Sequence, residues 1–313
     1  GNKLLGVLNG IENIIGTQGN DDIKGNSEKN IIDGEGGDDI LRLSKGGDDI
    51  YGGAGFDELN METITNAADV DLQKNVIKDK TEGGEIGSGS KVYEIEKIYG
   101  TSYSDIYQLN EEKNEVDGNG GINTLTYIDY TYEIKVDLSK TDYQIVGTTI
   151  NGNIDEDKLS NIHNVIGSNQ KDILIGSDAT NELFGGMSND VLNGGAGNDK
   201  LYGESGNDTI QYDLGSDIIN GGEGSDTLDF SNYTLNDSGI FNLKTNETII
   251  DGETDTTSFI ENIIGTKNND TIVGDNTNNT LIGGLGEDTI DYSTATNGVK
   301  VNLNIKTQQD TKE

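Results

Sequence analysis

The chain has no cysteine and no proline, and aromatic side chains make up only 6% of its 313 residues. Without cysteine, neither disulfides nor thiolate metal sites can form, so hard oxygen donors are the ligands left. The absence of proline suits a chain in which every segment donates backbone hydrogen bonds to a neighbour. At 31% hydrophobic residues the sequence is too poor for a thick layered globule, which leaves a thin core or disorder. No run approaches the roughly 18 apolar residues of a membrane span. The opening "GNKLLGVLNGIENIIG" lacks a charged segment followed by a long apolar one, so export is expected without an N-terminal signal in this chain. Positive charge is scarce as well: 21 basic against 57 acidic residues give a net charge of -36. No basic stripe exists to displace phosphate counterions, which excludes nucleic acid as a partner. Such repulsion would expand a bare chain, and divalent cations are the natural remedy.

What the sequence does have is a period. From Gly167, cuts every nine residues give GSNQKDILI, GSDATNELF, GGMSNDVLN, GGAGNDKLY, GESGNDTIQ, YDLGSDIIN and GGEGSDTLD, without a gap to residue 229. The sixth slot is Asp or Asn throughout, and the eighth is Leu or Ile. The same frame runs over 16–60 (GTQGNDDIK to GGAGFDELN), over 265–291, and in worn form over 100–126. Eighteen such units occupy about half the chain, and a repeat of this kind fixes the architecture before any other feature.

Each unit reads as six turn-forming residues and a three-residue strand whose middle side chain alone is apolar. Two units then make one 18-residue coil, and stacked coils pair as parallel strands around two facing columns of Leu, Ile and Val. Consecutive turns fall on opposite sides, so each turn stacks on the one two units away. Calcium takes six to eight hard oxygens from carboxylates and carbonyls. Glycine lets a turn point carbonyls inward, while the slot-six aspartate supplies charge. The expected metal ligands are Asp21, Asp39, Asp48, Asp57, Asp105, Asp172, Asp190, Asp199, Asp208, Asp217, Asp226, Asp270 and Asp288. They act with backbone carbonyls of Gly34, Gly37, Gly52, Gly55, Gly185, Gly194, Gly197, Gly203, Gly206, Gly221, Gly224, Gly283 and Gly286. Pairing stacked turns gives about ten calcium ions, one to each pair. Seven pairs carry Asp in both turns: 21 with 39, 39 with 57, 172 with 190, 190 with 208, 208 with 226, 199 with 217, and 270 with 288. The second unit of every block has Asn instead (Asn30, Asn114, Asn181, Asn279), which suggests a turn closed by hydrogen bonds in place of an ion.

These units resemble the nonapeptide G-G-x-G-x-D-x-U-x of the RTX (repeats-in-toxin, hemolysin-type calcium-binding) family, and GGAGNDKLY and GGAGFDELN fit it at every defined slot. The resemblance weakens over 100–126, where Asn114 and Asn123 replace the aspartate. It implies an all-β, right-handed parallel β-roll (a β-helix solenoid) that folds on calcium, in proteins exported by type I secretion.

The blocks sit in larger modules. A phrase of the type "IENIIGT" precedes each block, at 11, 95, 162 and 260. An aromatic or methionine follows it, and then a strand ending "VDL", "VDL", "FNL" or "VNL". Four modules result: 1–94, a degenerate 95–161, 162–259, and a truncated 260–313. The polar stretches between them read as loops or small β excursions, and the two ends read as cuts in a longer array. His163, the sole histidine, fills the slot of Glu12, Glu96 and Glu261 and is expected to be structural. No HExxH, nucleophile or phosphate-binding motif appears, so no enzyme is expected. Tyr103, Tyr107, Tyr127, Tyr130 and Tyr132 cluster near the worn block, as a sugar platform or as strand and capping residues. The expected function is a calcium-folded structural segment of a large secreted or cell-surface bacterial protein, of adhesin or surface-layer type. The alternatives are the secretion and folding appendage of a toxin or hydrolase, and a glycan-binding array. Partners beyond calcium would be neighbouring copies or a cell-surface glycan.

Overall fold

The computed structural model describes residues 9–80, 86, 89–233 and 237–294, and every regular element in them is a β-strand, most only three residues long. That is the length a nine-residue unit leaves after a six-residue turn. Strands pair in parallel with the strand two units on: Asn13 with Ile31 and Ile31 with Asp49 in one stack, Asp22 with Ile40 and Ile40 with Glu58 in the other. The same offset runs through Ile173, Val191, Thr209 and Thr227. The eighteen-residue coil is therefore the structural period, and the fold is a parallel β-roll.

Slot eight forms the core. Ile32, Leu41, Ile50, Leu59, Leu174, Leu183, Leu192, Ile210 and Leu228 are each fully buried, while their neighbours along the strand face outward. One inward side chain per three-residue strand is what lets a chain so poor in apolar residues enclose a core. The bulky residue that follows a block lands in slot one, where the repeat has glycine, and there Met61, Tyr127 and Phe230 are buried at 0% exposure.

Contacts divide the chain into two compact units, Gly1–Thr126 with Lys140–Ile162, and Tyr127–Ser139 with His163–Glu313. In the first, a seven-stranded sheet runs in the order Asp22–Lys24, Ile40–Arg42, Glu58–Asn60, Lys97–Tyr99, Asn114–Asp117, Ile154–Ser160, Gln144–Thr148. In the second, seven parallel strands run from Lys135–Asp137 through Ile173–Ser177, Val191–Gly195, Thr209–Gln211, Thr227–Asp229 and Asn262–Ile264 to Thr280–Ile282.

Two of the "VDL"-type strands, Ala68–Asp71 and Ile240–Asn242, open antiparallel meanders that enter the roll in reverse order, whereas Lys135–Asp137 pairs in parallel with Ile173–Ser177. In the first unit, Ser90–Tyr93 pairs parallel with Asp49–Tyr51, Val76–Asp79 runs antiparallel to it, and Ala68–Asp71 pairs parallel with the later strand Ile106–Gln108. Glu253–Ser258, Glu247–Ile250 and Ile240–Asn242 repeat this between Ile218–Asn220 and Thr271–Val273. Each meander thus continues the hydrogen-bonded stack instead of looping out of it. The "VNL" strand expected at 301 lies outside the described residues.

Candidate metal centre

Slot six builds a ladder on each side of the roll. Its backbone N–H donates to the slot-six side chain of the stacked turn: Asp21 to Asp39 (2.7 Å), Asp39 to Asp57 (2.9 Å), Asp172 to Asp190 (2.7 Å), Asp190 to Asp208 (2.8 Å) and Asp208 to Asp226 (2.8 Å). On the opposite side Asn181 donates to Asp199 and Asp199 to Asp217, and Asp270 donates to Asp288. Stacked aspartates are therefore tied backbone to carboxylate through Oδ1. The fate of Oδ2 decides the chemistry.

Two kinds of turn result. Where slot two is Thr or Ser, its N–H donates to Oδ2 of the slot-six aspartate four residues on: Thr17 to Asp21, Ser44 to Asp48, Thr101 to Asp105, Ser168 to Asp172, Thr266 to Asp270. The hydroxyls of Ser44, Thr101, Ser168 and Thr266 add second bonds to the same carboxylates. These turns are closed by the chain itself, which was not foreseen for the five aspartates named as ligands.

Where slot two is Gly or Glu with φ > 0, as at Glu35 (70°), Gly53 (102°), Gly186 (108°), Gly195 (94°), Glu204 (70°) and Gly222 (106°), no such bond forms. Oδ2 of Asp39, Asp57, Asp190, Asp199, Asp208 and Asp226 is then buried with no hydrogen-bond partner. Each of these oxygens crowds the point a Cβ on its own slot-one glycine would occupy. At Gly34, Gly185 and Gly203 that point also meets the carbonyl oxygen of the stacked Gly52, Gly203 or Gly221. The slot-one glycines are thus required by close approach. Asp288 is exposed.

A buried carboxylate oxygen beside carbonyl oxygens, with no donor, is costly unless a cation joins it. Burial, more than any other influence, pushes the carboxyls up: Asp190 to about 8, with Asp172, Asp208 and Glu204 adding repulsion, and Asp208 to about 6. Asp57, Asp199 and Asp226 are raised for the same first reason. A hard divalent ion reverses this balance by stabilising the charged form. Carboxylate and carbonyl oxygens are the donor set calcium takes, so the open turns fit it.

The Asn turns are closed, as their amides allow. Asn30 and Asn181 accept the slot-two N–H of Asn26 and Ser177 on Oδ1 and send their Nδ2 to the carbonyls of Glu12 and His163. A carboxylate has no donor to make that second bond. Asn114 differs, donating to Asp157 while its Oδ1 is buried without a partner.

Three features escaped the sequence reading. The phrases at 95 and 260 are shortened turns that continue the ladder: Glu96 accepts the N–H of Asp57, and Glu261 that of Asp226, each through Oε2. Their recurrence at one slot was visible, but a three-residue turn replacing six was not. The meander likewise supplies Asp255, which accepts the N–H of Asp217. The third is Asp213, in slot two of YDLGSDIIN, which lies with Asp199 and Asp217 in a group whose ligand atoms are all within 4.8 Å of one another. Among the tyrosines, Tyr107, Tyr127 and Tyr130 are buried, with Tyr130 edge-on to Tyr127, so these three fill the interior and form no outward platform.

The family model of the RTX calcium-binding nonapeptide repeat (4 copies) matches residues 8–41, 24–59, 166–201, 175–210, 184–218, 202–231 and 255–291. These are RTX repeats. The RTX matches cover the open turns of both units and skip the worn block over 100–126. No curated protein matches the chain. Among solved structures, the extracellular lipase LipA from Serratia marcescens is similar at 16% identity and a TM-score of 0.24, covering 81% of this chain and 38% of that one. The RTX chain therefore spans well under half of that lipase, and the likeness says nothing about its activity. No helix among the described residues is long and apolar enough to cross a membrane.

Proposed function

We propose that this RTX β-roll is a structural segment that folds when calcium enters its open turns, within a large secreted or cell-surface bacterial protein of adhesin or surface-layer type. The observation that carries the reading is the orphaned Oδ2 repeated at Asp39, Asp57, Asp190, Asp199, Asp208 and Asp226. Those six carboxylates are the principal calcium ligands, joined by the carbonyls of Gly52, Gly203 and Gly221 at Asp39, Asp190 and Asp208 and by those of Glu94 and Phe259 at Asp57 and Asp226. Asp21, Asp48, Asp105, Asp172 and Asp270 close their turns by hydrogen bonds instead and hold the ladders in register.

The role is mechanical. At submicromolar calcium inside a cell, the net charge of -36 holds the chain open. At millimolar calcium outside, ions that bind only the folded state pull it into the roll by mass action. No step of catalysis is assigned to the segment. Circular dichroism at neutral pH tests the reading: calcium should produce a β spectrum that EGTA abolishes. A β spectrum indifferent to EGTA would overturn it.

A further inference from the structure

One turn departs from the repeat in a way that adds chemistry. YDLGSDIIN places Tyr212 in slot one and Asp213 in slot two, where the other turns stacked on its side carry glycine or a small polar residue. Asp213 reaches across to the stacked turn, and its Oδ2 accepts the N–H of Gly195 at 2.5 Å. Its Oδ1 is buried with no partner, as is Oδ2 of Asp199, a side chain only 1% exposed. Asp217 completes the group, with one ligand oxygen from each of the three within 4.8 Å of the others. Among the described residues, no Lys or Arg pairs with any of them. The Tyr212 hydroxyl, on a ring 4% exposed, is also buried without a partner, and Asp255, Glu253 and Asp217 are among the charges it feels.

Resting on the calcium reading above, we propose that Asp199, Asp213 and Asp217 form a three-carboxylate divalent-cation site, the open turn of Asp199 augmented by a residue the repeat does not supply, and the tightest in the chain. An ordinary open turn offers side-chain charge from slot six alone. Here Asp213 brings a third carboxylate into the same space, and affinity for calcium rises with the number of charged ligands. This site fills first as calcium rises, and it orders turns 194–199 and 212–217 before the rest.

The test is a titration of the whole chain with EGTA-buffered calcium, followed by calorimetry. Wild type should show one ion binding about tenfold or more tightly than the rest, and Asp213→Asn should merge that ion with the weaker class. Asp213→Gly, which restores the residue common in the repeat, serves if the amide variant folds poorly and should give the same loss. Terbium adds a local readout: tyrosine-sensitised emission from the first ion bound should fall sharply in Tyr212→Phe. If wild type binds calcium but both Asp213 variants keep its full titration curve, the three-carboxylate site is overturned while the calcium reading stands. If wild type binds no calcium, both fall.

Discussion

Turns 167–172 and 185–190 are stacked neighbours on one side of the roll, each with a buried aspartate in slot six, yet they do opposite things with it. In GSNQKD, the N–H and hydroxyl of Ser168 satisfy Asp172, which also accepts the N–H of Ile134. In GGMSND, Gly186 adopts φ 108° and Oδ2 of Asp190 is left buried and alone. The slot-two residue and its backbone angle mark the difference between an aspartate used as a hydrogen-bonded turn brace and one that needs a cation. The same contrast divides Asp48 from Asp57 and Asp270 from Asp226. The repeat is thus a mixture of self-closed turns, which set register, and open ones, which await charge.

The largest test of this contrast removes the ions. Chelation at pH 7.5 should unfold the open-turn arrays, seen as loss of the β signal and of amide-exchange protection throughout residues 185–229. Next in size, Asp208→Ala should weaken the stacked ions on its side of the roll, raising the calcium midpoint by roughly tenfold or more. Asp199, across the roll, should keep its ion. Asp172→Ala should leave the calcium stoichiometry unchanged and lower the stability of the calcium-loaded roll by about 1–3 kcal/mol, the cost of buried donors left unpaired. Denaturant unfolding in excess calcium measures it.

A smaller effect follows from pH. Asp190 is held near 8 and Asp208 near 6 by burial, against an ordinary 3.8. A carboxyl raised in the folded state costs nothing below its unfolded pKa and progressively more as pH climbs to the folded value. Without calcium, β content should therefore be greatest near pH 4 and fall as pH rises toward 8, as circular dichroism in EGTA would show. Acid stands in for the ion. The smallest change is Ser168→Gly, which should loosen turn 167–172 by about 1 kcal/mol through loss of the hydroxyl bond and greater freedom of the unfolded chain.

Much of this was legible in the sequence. The nine-residue phase predicts the eighteen-residue coil, and the alternation of exposed and buried positions follows from a strand with one inward side chain. The Asn of each second unit predicts a closed turn; Asn30, Asn181 and Asn279 close as their amides permit, whereas Asn114 leaves its Oδ1 without a partner. The distinction between open and closed turns was also written there, in the Thr of "IIGT" and the Ser of "VIGS". The slot-six pattern does not reveal it, because the backbone angle at slot two accompanies the outcome. The reversed meanders were not legible, since "VDL" and the strands after it carry no mark of partner or direction. Pairing across some forty residues is settled by closure of the whole stack. Asp255, Glu96 and Glu261 belong to the ladders only because that closure brings them there.

The most direct test counts ions in turns that differ in slot two. Bound calcium should be measured by equilibrium dialysis and atomic emission on wild type, Asp190→Asn and Asp172→Asn. The account predicts at least one ion fewer per chain in Asp190→Asn and an unchanged count in Asp172→Asn. Equal losses from both variants, or a loss from Asp172→Asn alone, would contradict it.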